Sequence, residues 1–146
     1  MVFGHSMDDP LKEFRVRHQS IIEAIDRIQL AIRDYNKVRP LVYDLQIKWF
    51  HHLGRQDQLF FAPIAEFHRL DPKALKMLGF LQDDLRDMKI KSLVFFDRHP
   101  GQMGDLRQKT FITDFSLFSK EVLARIEIEE TQLIPLLAHC VEGKRR

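Results

Sequence analysis

The stretch that decides the fold is "LKEFRVRHQSIIEAIDRIQLAIRDY", residues 11–35. Side chains spaced three and four apart form one stripe along it, made of Leu11, Phe14, His18, Ile21, Ile25, Ile28, Ile32 and Tyr35. This spacing is typical of an α-helix that buries one face against other helices. Because His18 lies inside the stripe, the sequence predicts a polar ring within an apolar helical seam.

Three further segments carry the same helical pattern, and no alternating strand pattern competes with it. The four predicted helices cover residues 9–37, 41–69, 72–98 and 106–139. Prolines favour first turns and breaks, and here they stand at Pro10, Pro40, Pro72 and Pro100. The stretch "RHPGQMGD" (98–105) predicts the loop before the last helix. Together these features predict an all-α, up-down-up-down four-helix bundle that occupies residues 1–146 as a single domain.

Polar groups stand at mid-helix in three of the four predicted seams. The second seam reads Leu45, Trp49, His52, Gln56 and Leu59. The third reads Leu78, Leu81, Leu85, Met88, Ser92, Phe95 and His99, and the fourth reads Phe111, Phe115, Phe118, Val122, Arg125, Glu129, Gln132 and Leu136. Buried polar groups need partners, and buried charges need them more strongly. We therefore expect one shared polar cluster of His18, His52, Gln56, Arg125 and Glu129.

This pattern resembles the hemerythrin-like, or HHE cation-binding, domain. That family places one His in helix one, HxxxE in helix two, His or HxxxH in helix three, and HxxxE or a similar motif in helix four. The closest local match is "EETQLIPLL", residues 129–137. The resemblance implies a four-helix bundle around a non-haem di-iron site, in a family whose members bind oxygen or sense oxygen, nitric oxide or iron.

Only part of the family's ligand set is present. His18, His52 and Glu129 match ligand positions, and these three are the candidate metal ligands. Gln56 stands where the family has Glu, and Gln is a poor ligand for iron. Arg125 stands where the family has His, and a guanidinium offers only donors. The resemblance therefore implies a degenerate site, in which Arg125 supplies the positive charge that a metal would otherwise provide.

The third helix departs furthest from the family. The family's histidine positions fall near Leu81 and Leu85, and Asp83 and Asp84 between them are expected on the solvated face. His99 is expected at the helix C-terminus, where a partly positive ring suits the helix dipole. Beside the seam of the second helix, Asp57 is a candidate to reach the site, whereas His51 is expected on a neighbouring, partly exposed face.

Composition narrows the function classes. Hydrophobic residues make up 45% and charged residues 30% of the 146 residues, which is typical of a globular protein. The net charge of +2 gives no reason to expect a nucleic-acid partner. We find no signal peptide, no apolar run that could span a membrane and only one cysteine, Cys140, so a cytoplasmic location is expected. Without a phosphate loop, cysteine-based zinc motif or nucleophile elbow, we expect no enzyme.

A second apolar stripe on helix two consists of Tyr43, Ile47, Phe50, Gly54 and Phe61. A helix that is apolar on two sides is either deeply buried or covered by a partner. The stripe therefore predicts a homodimer through helix two. The alternative is that the first residues and the loop after Pro100 fold over the stripe.

Three functional interpretations remain open at this point. The first is a binding or regulatory module, with a protein partner and no cofactor, whose di-iron site has been replaced by the polar cluster. The second is a divergent metalloprotein that holds one iron or another divalent ion through His18, His52 and a carboxylate. The third is a helical bundle that only mimics the family.

Overall fold

The computed structural model describes residues 9–56, 60–99 and 108–145. Its helices are α1 (Asp9–Leu30), α2 (Tyr35–Gln56), α3 (Ala62–Phe67), α4 (Pro72–Arg98), α5 (Gln108–Ile128) and α6 (Ile134–Arg145). A π-helical turn, Glu129–Leu133, joins α5 to α6, and Phe60 and Phe61 also have π-helical geometry. No strand occurs in these three ranges, so the predicted all-α class is confirmed.

The helix boundaries agree with the sequence at both ends of α4 and at the first residue of α1, Asp9, and the other described boundaries differ. The first helix ends at Leu30 instead of residue 37, and the second starts at Tyr35 instead of residue 41. Asp34 explains this early start, because its carbonyl accepts from Val38 N at 2.9 Å and its side chain accepts from Lys37 N at 3.3 Å. Pro40 consequently lies inside α2 and does not begin it.

The last helical segment also differs from the prediction, since it runs to Arg145 instead of residue 139. Residues 100–105 of the predicted loop lie outside the described residues, as does the seam residue Leu59.

The core lies where the stripes of the helices meet. α1 packs along α2, α4 packs along α5, and further contacts join α2 to α4, α1 to α5 and α6, and α3 to α6. In the α1 stripe the side chains of Phe14, His18, Ile21, Ile25 and Ile28 are all at most 2% exposed. None of the described helices is long and apolar enough to cross a membrane.

Within the π turn the buried position differs by one residue from the predicted seam. Gln132, predicted in the seam, is only half-buried, and Leu133 is completely buried in its place. Pro135 has no N–H, and its ring would clash with the carbonyl four residues earlier in a regular helix. The backbone widens ahead of it, so that Ile134 N bonds to Glu129 O, five residues back.

The second stripe predicted on helix two does not form one exposed surface. Phe61 is 1% exposed and belongs to the core, and Phe50 is half-buried with its ring 5.5 Å from that of Phe96. Tyr43 and Ile47 stay exposed, at 36% and 53%. The stripe is therefore split between the core and the surface.

Asp71 caps the N-terminus of α4, and its removal gives a test of this helix boundary. Its side chain accepts hydrogen bonds from Lys73 N and Ala74 N at 3.1 and 3.2 Å. We expect Asp71→Ala to lower the free energy of unfolding by about 1 kcal/mol, measured by chemical denaturation. The control Asp83→Ala removes a carboxylate that is 77% exposed and 3.7 Å from Arg86, and should change stability by less than about 0.5 kcal/mol. Equal effects of the two substitutions would contradict the cap.

Candidate functional site

A single carboxylate, that of Glu129, lies at the centre of the polar cluster. Its Oε1 is 2.7 Å from His18 Nε2 and 2.8 Å from His52 Nε2. Its Oε2 accepts from Arg125 Nε at 2.6 Å. An ionised carboxylate only accepts hydrogen bonds, so both imidazole rings donate from Nε2. Three donors from three helices thus surround a side chain that has no solvent exposure.

The surroundings of Glu129 keep it ionised. Burial by itself would raise the pKa of this carboxyl group, because a buried charge loses its hydration. The hydrogen bonds from His18 and His52, together with the charges of His52 and Arg125, outweigh that effect and hold the pKa well below its usual range. The cluster therefore contains a negative charge in the protein interior at neutral pH.

Arg125 balances this charge and spreads its donors over two further helices. Besides Glu129, its Nη1 donates to the carbonyl of Leu81 at 3.0 Å and to Asp84 Oδ2 at 2.9 Å. Its Nη2 donates to Gln56 Oε1 at 2.8 Å. The guanidinium is 1% exposed, and every one of its nitrogens has an acceptor.

The structure brings together all five residues that the sequence placed in one cluster. His18 comes from α1, His52 and Gln56 come from α2, and Arg125 lies on α5, one turn before Glu129 in the π turn. Each of the five is at most 2% exposed. Asp57, the candidate beside Gln56, lies outside the described residues.

Asp84 joins the cluster, contrary to its predicted place on the solvated face. Its side chain is only 33% exposed and pairs with Arg125, whereas Asp83 is 77% exposed as predicted. A guanidinium has five N–H donors, and the acceptors at Gln56 and Glu129 do not use all of them. This excess of donors is the sequence signal for a further carboxylate on α4.

Aromatic side chains fix the two histidine rings of the cluster. Trp49 stacks on His52 at 5.6 Å, and its Nε1 donates to Ser92 Oγ on α4 at 2.8 Å. Phe14 meets both rings edge-on, at 4.7 Å from His18 and 5.3 Å from His52. These contacts leave the imidazoles little freedom to turn away from Glu129.

His51 and His99 lie outside the cluster. His51 is exposed, as predicted, and its Nδ1 accepts from Arg17 at 2.8 Å. Its pKa is lowered by partial burial and by the charges of Arg17 and Arg55. His99 ends α4 as predicted, but its ring is buried and its Nε2 lies 2.7 Å from Asp114 Oδ2. A carboxylate is therefore its direct partner, beyond the expected effect of the helix dipole.

Three potential metal-ligating side chains in the cluster lie close enough together to bind one metal ion. One ligand atom from each of His18, His52 and Glu129 lies within 4.8 Å of the others. However, the two rings contact Glu129 at hydrogen-bond distance, and Arg125 holds its second oxygen. The further ligand positions of the hemerythrin-like pattern correspond here to a guanidinium, an amide and two leucines, so the residues do not fit a di-iron centre. As described, the arrangement is a hydrogen-bonded charge network.

Comparison with known proteins adds no relative to this picture. No family model matches the chain, and no curated protein or solved structure matches it significantly. The resemblance to hemerythrin-like domains therefore rests on the residues themselves and stays a prediction.

Loss of Arg125 should destabilise the fold strongly, because it leaves the Glu129 charge buried with only the two imidazoles. We expect Arg125→Leu to lower the free energy of unfolding by about 3–5 kcal/mol. The matched control Arg86→Leu changes an arginine that is 75% exposed, and should stay within about 0.5 kcal/mol. Chemical denaturation measures both. If Arg125→Leu lowers the free energy of unfolding by less than about 1 kcal/mol, the change is typical of an exposed ion pair and contradicts the buried network.

A double-mutant cycle then measures how Arg125 and Glu129 depend on each other. Arg125→Leu combined with Glu129→Met removes both charges, so the double variant should lose less stability than the sum of the two single variants. Recovery should be incomplete, because His18 and His52 then lose their common acceptor. Strict additivity would show that the two charges do not interact.

The lowered pKa of Glu129 predicts a specific pH dependence. A carboxyl group with a lower pKa in the folded state contributes stability above its unfolded pKa, near 4.5, and loses that contribution as the pH falls towards the folded value. We expect Glu129→Gln to be less stable than wild type at neutral pH. The difference should shrink as the pH falls from about 5 to about 2, measured by urea denaturation. A difference that is independent of pH would contradict this assignment.

Proposed function

We propose that this chain is a hemerythrin-like four-helix bundle that works as a binding or regulatory module, without a di-iron centre and without catalysis. In this proposal the chain forms an up-down-up-down bundle with four members. The first member is α1, the second is α2 extended by α3, the third is α4, and the fourth is α5 extended by α6. The contacts between neighbouring members and the internal position of the polar cluster support this arrangement. The module would act on a protein partner through its surface.

The observation that carries the proposal is the position of the Arg125 guanidinium. It lies where a metal centre would need ligand atoms, and it donates to Glu129, Gln56 and Asp84. Arginine stays protonated in proteins and has no acceptor atom, so it cannot ligate a metal. Its positive charge instead stabilises the carboxylates that a metal would otherwise neutralise.

The α4 residues support the same conclusion. Leu81 and Leu85, at the positions where the family has histidine, are 0% and 1% exposed and face the core. They offer no side-chain ligand, and the only α4 groups that reach the cluster are the Leu81 carbonyl and Asp84, both held by Arg125. A second metal ion would have to compete with Arg125 for both of these groups.

Burial also argues against catalysis at this cluster. A strongly shifted pKa often marks an active site, but here the ion pair with Arg125 and the two histidines account for the shift of Glu129. Each of the five side chains is at most 2% exposed, so a substrate has no direct access to them. The cluster is better suited to hold the helices together than to perform chemistry.

A single divalent ion is the second candidate, and the compact set of His18, His52 and Glu129 favours it. Two histidines and one carboxylate form a common ligand set for such ions. The ion would have to displace the protons on both Nε2 atoms and would be repelled by Arg125. This second candidate makes a prediction opposite to that of the first.

We expect protein purified from iron-supplemented cells to be colourless and to contain well below one iron per chain. Elemental analysis and visible absorption measure this directly. One or two irons per chain, together with an oxo-bridge absorption band, would overturn the proposal. The physical reason is that the guanidinium charge and the missing ligands both disfavour a cation at this place.

Thermal unfolding with added Fe²⁺ or Zn²⁺ separates the two candidates. The proposal predicts no rise in melting temperature, because no cation binds the folded state. A rise that disappears in His52→Gln, but persists in the control His51→Gln on the exposed neighbouring face, would establish the single-ion site instead. The two histidines are adjacent in sequence, so the pair controls for unspecific binding to imidazole.

A further inference from the structure

A surface groove follows the contact between α1 and α2. Its polar lining includes Arg17 and Ser20 from α1, and Lys48 and His51 from α2. Its volume of about 310 Å³ is at the lower end of the roughly 300–1,000 Å³ that is typical of small-molecule sites. The groove therefore suits a small ligand and not a large cofactor.

Cations outnumber carboxylates in the ion pairs beside this groove. Glu13 Oε1 accepts from Arg17 Nη2 at 2.5 Å and also pairs with Arg55 Nη2 at 2.9 Å. Lys48 Nζ pairs with Asp44 Oδ2 at 3.0 Å. Three cations thus share two carboxylates, and these five groups together carry one surplus positive charge.

The contact between Arg17 and His51 determines which imidazole nitrogen carries the proton. Arg17 Nη1 is 2.8 Å from His51 Nδ1, and a guanidinium only donates, so Nδ1 accepts and the neutral ring has its proton on Nε2. Burial and the charges of Arg17 and Arg55 lower the pKa of His51, and these two charges act on it more strongly than that of Glu13. The ring therefore presents a donor, Nε2–H, in positively charged surroundings.

Three donors at the groove are not fully used by the protein. The Ser20 hydroxyl and the Nε2–H of His51 have no acceptor within residues 9–56, 60–99 and 108–145. The Lys48 ammonium group has three N–H donors, and its single pairing with Asp44 does not use all of them. A group that only accepts hydrogen bonds would receive donors from both helices here.

We propose that this groove binds a phosphate group, held by Ser20, Lys48 and His51. A carboxylate is best recognised by two parallel N–H donors of one guanidinium. Arg17 does not offer this pair, because its Nη1 and Nη2 already donate to His51 and Glu13. The remaining donors belong to three separate side chains on two helices, and this arrangement suits the several oxygens of a tetrahedral anion.

The phosphate group has two possible sources, free phosphate and a small phosphate monoester. Val16 is part of the groove lining and is 60% exposed. The organic substituent of a monoester would pack against this side chain and gain affinity by burying apolar surface. Free phosphate would make no such contact. A comparison of the two ligands therefore identifies the source.

The site goes beyond the proposed function, because none of the five cluster residues lines the groove. It nevertheless joins the same helices, since Ser20 belongs to α1, and Lys48 and His51 belong to α2. A bound phosphate group would link α1 to α2 on their outer side, and such a ligand is suited to regulate a binding module.

The first test follows the imidazole resonances of the full chain by heteronuclear NMR at constant pH and ionic strength. We expect inorganic phosphate to shift the His51 resonances in a saturable way, with a Kd of about 1 mM. His139, which is exposed on α6 outside the groove, is the internal control and should not respond. Acetate, as the carboxylate probe, should bind about tenfold more weakly or less. Phenyl phosphate serves as the monoester probe.

The second test removes one donor and compares it with a matched lysine. Lys48→Gln should weaken phosphate binding by about tenfold, because it removes a charged donor. The control Lys37→Gln changes a lysine about three turns earlier on the same side of α2, which is also paired with an aspartate, Asp34 at 4.0 Å. This control should leave the Kd unchanged. Ser20→Ala should weaken binding as well, and circular dichroism verifies that all variants stay helical.

Each outcome decides the proposal. The absence of a saturable His51 shift up to about 50 mM phosphate overturns it. Equal affinities for phosphate and acetate, or a Kd that Lys48→Gln does not change, overturn it too, since binding is then unspecific. Tighter binding of phenyl phosphate than of phosphate supports a monoester, and equal binding supports free phosphate. None of these readouts depends on metal content, so the proposal can fail while the proposed function stands.

Discussion

The ion pair of Arg125 with Glu129 is the interaction on which the rest of the structure depends. Both side chains are essentially without solvent exposure, and their oxygen and nitrogen atoms are 2.6 Å apart. Removal of two charges from water costs several kcal/mol for each ion, and their attraction offsets this only if the remaining donors and acceptors are satisfied. The pair therefore dictates which groups the other helices present. α1 supplies His18, α2 supplies His52 and Gln56, and α4 supplies a carbonyl and Asp84.

This distribution of partners gives the helices a common register. A pure apolar seam tolerates sliding, because one aliphatic contact can replace another of similar volume. A shift of α1 or α2 by one turn would instead remove a donor from Glu129 or an acceptor from Arg125, and a buried charge without its partner is costly. Trp49 adds a second polar link between α2 and α4 through Ser92. The polar contacts thus select one alignment among those that hydrophobic burial alone would allow.

The sequence predicted those features that depend on periodicity, and missed those that depend on local backbone chemistry. The part of the first stripe from Phe14 to Ile28, the extent of α4 and the five members of the cluster follow from spacings of three and four, whereas Ile32 and Tyr35 of that stripe lie beyond the end of α1. The early start of α2 depends on hydrogen bonds to Asp34, and Pro40 indicated a break that those bonds moved. Gln132 and Leu133 lie three and four residues after Glu129, so the period alone did not distinguish them, and the π turn before Pro135 was not predicted. Asp84 lies beside its seam, so only the unused donors of Arg125 could have indicated it.

Charge balance makes Gln56, Arg125 and Glu129 depend on one another. The stretches 52–62 and 125–135 align with a shift of 73 residues, so that Gln56 corresponds to Glu129 and both accept hydrogen bonds from Arg125. Both stretches include residues with π-helical geometry. Phe60 and Phe61 are buried, as are the corresponding residues Leu133 and Ile134. A Glu at position 56 would leave three carboxylates around one guanidinium, a surplus of negative charge that a bound cation would have to neutralise. With Gln56, the fully buried pair of Arg125 and Glu129 is neutral, and the half-exposed Asp84 keeps its contact with water. The amide on α2 and the guanidinium on α5 are therefore mutually consistent, and their combination favours a core that is stable without a metal.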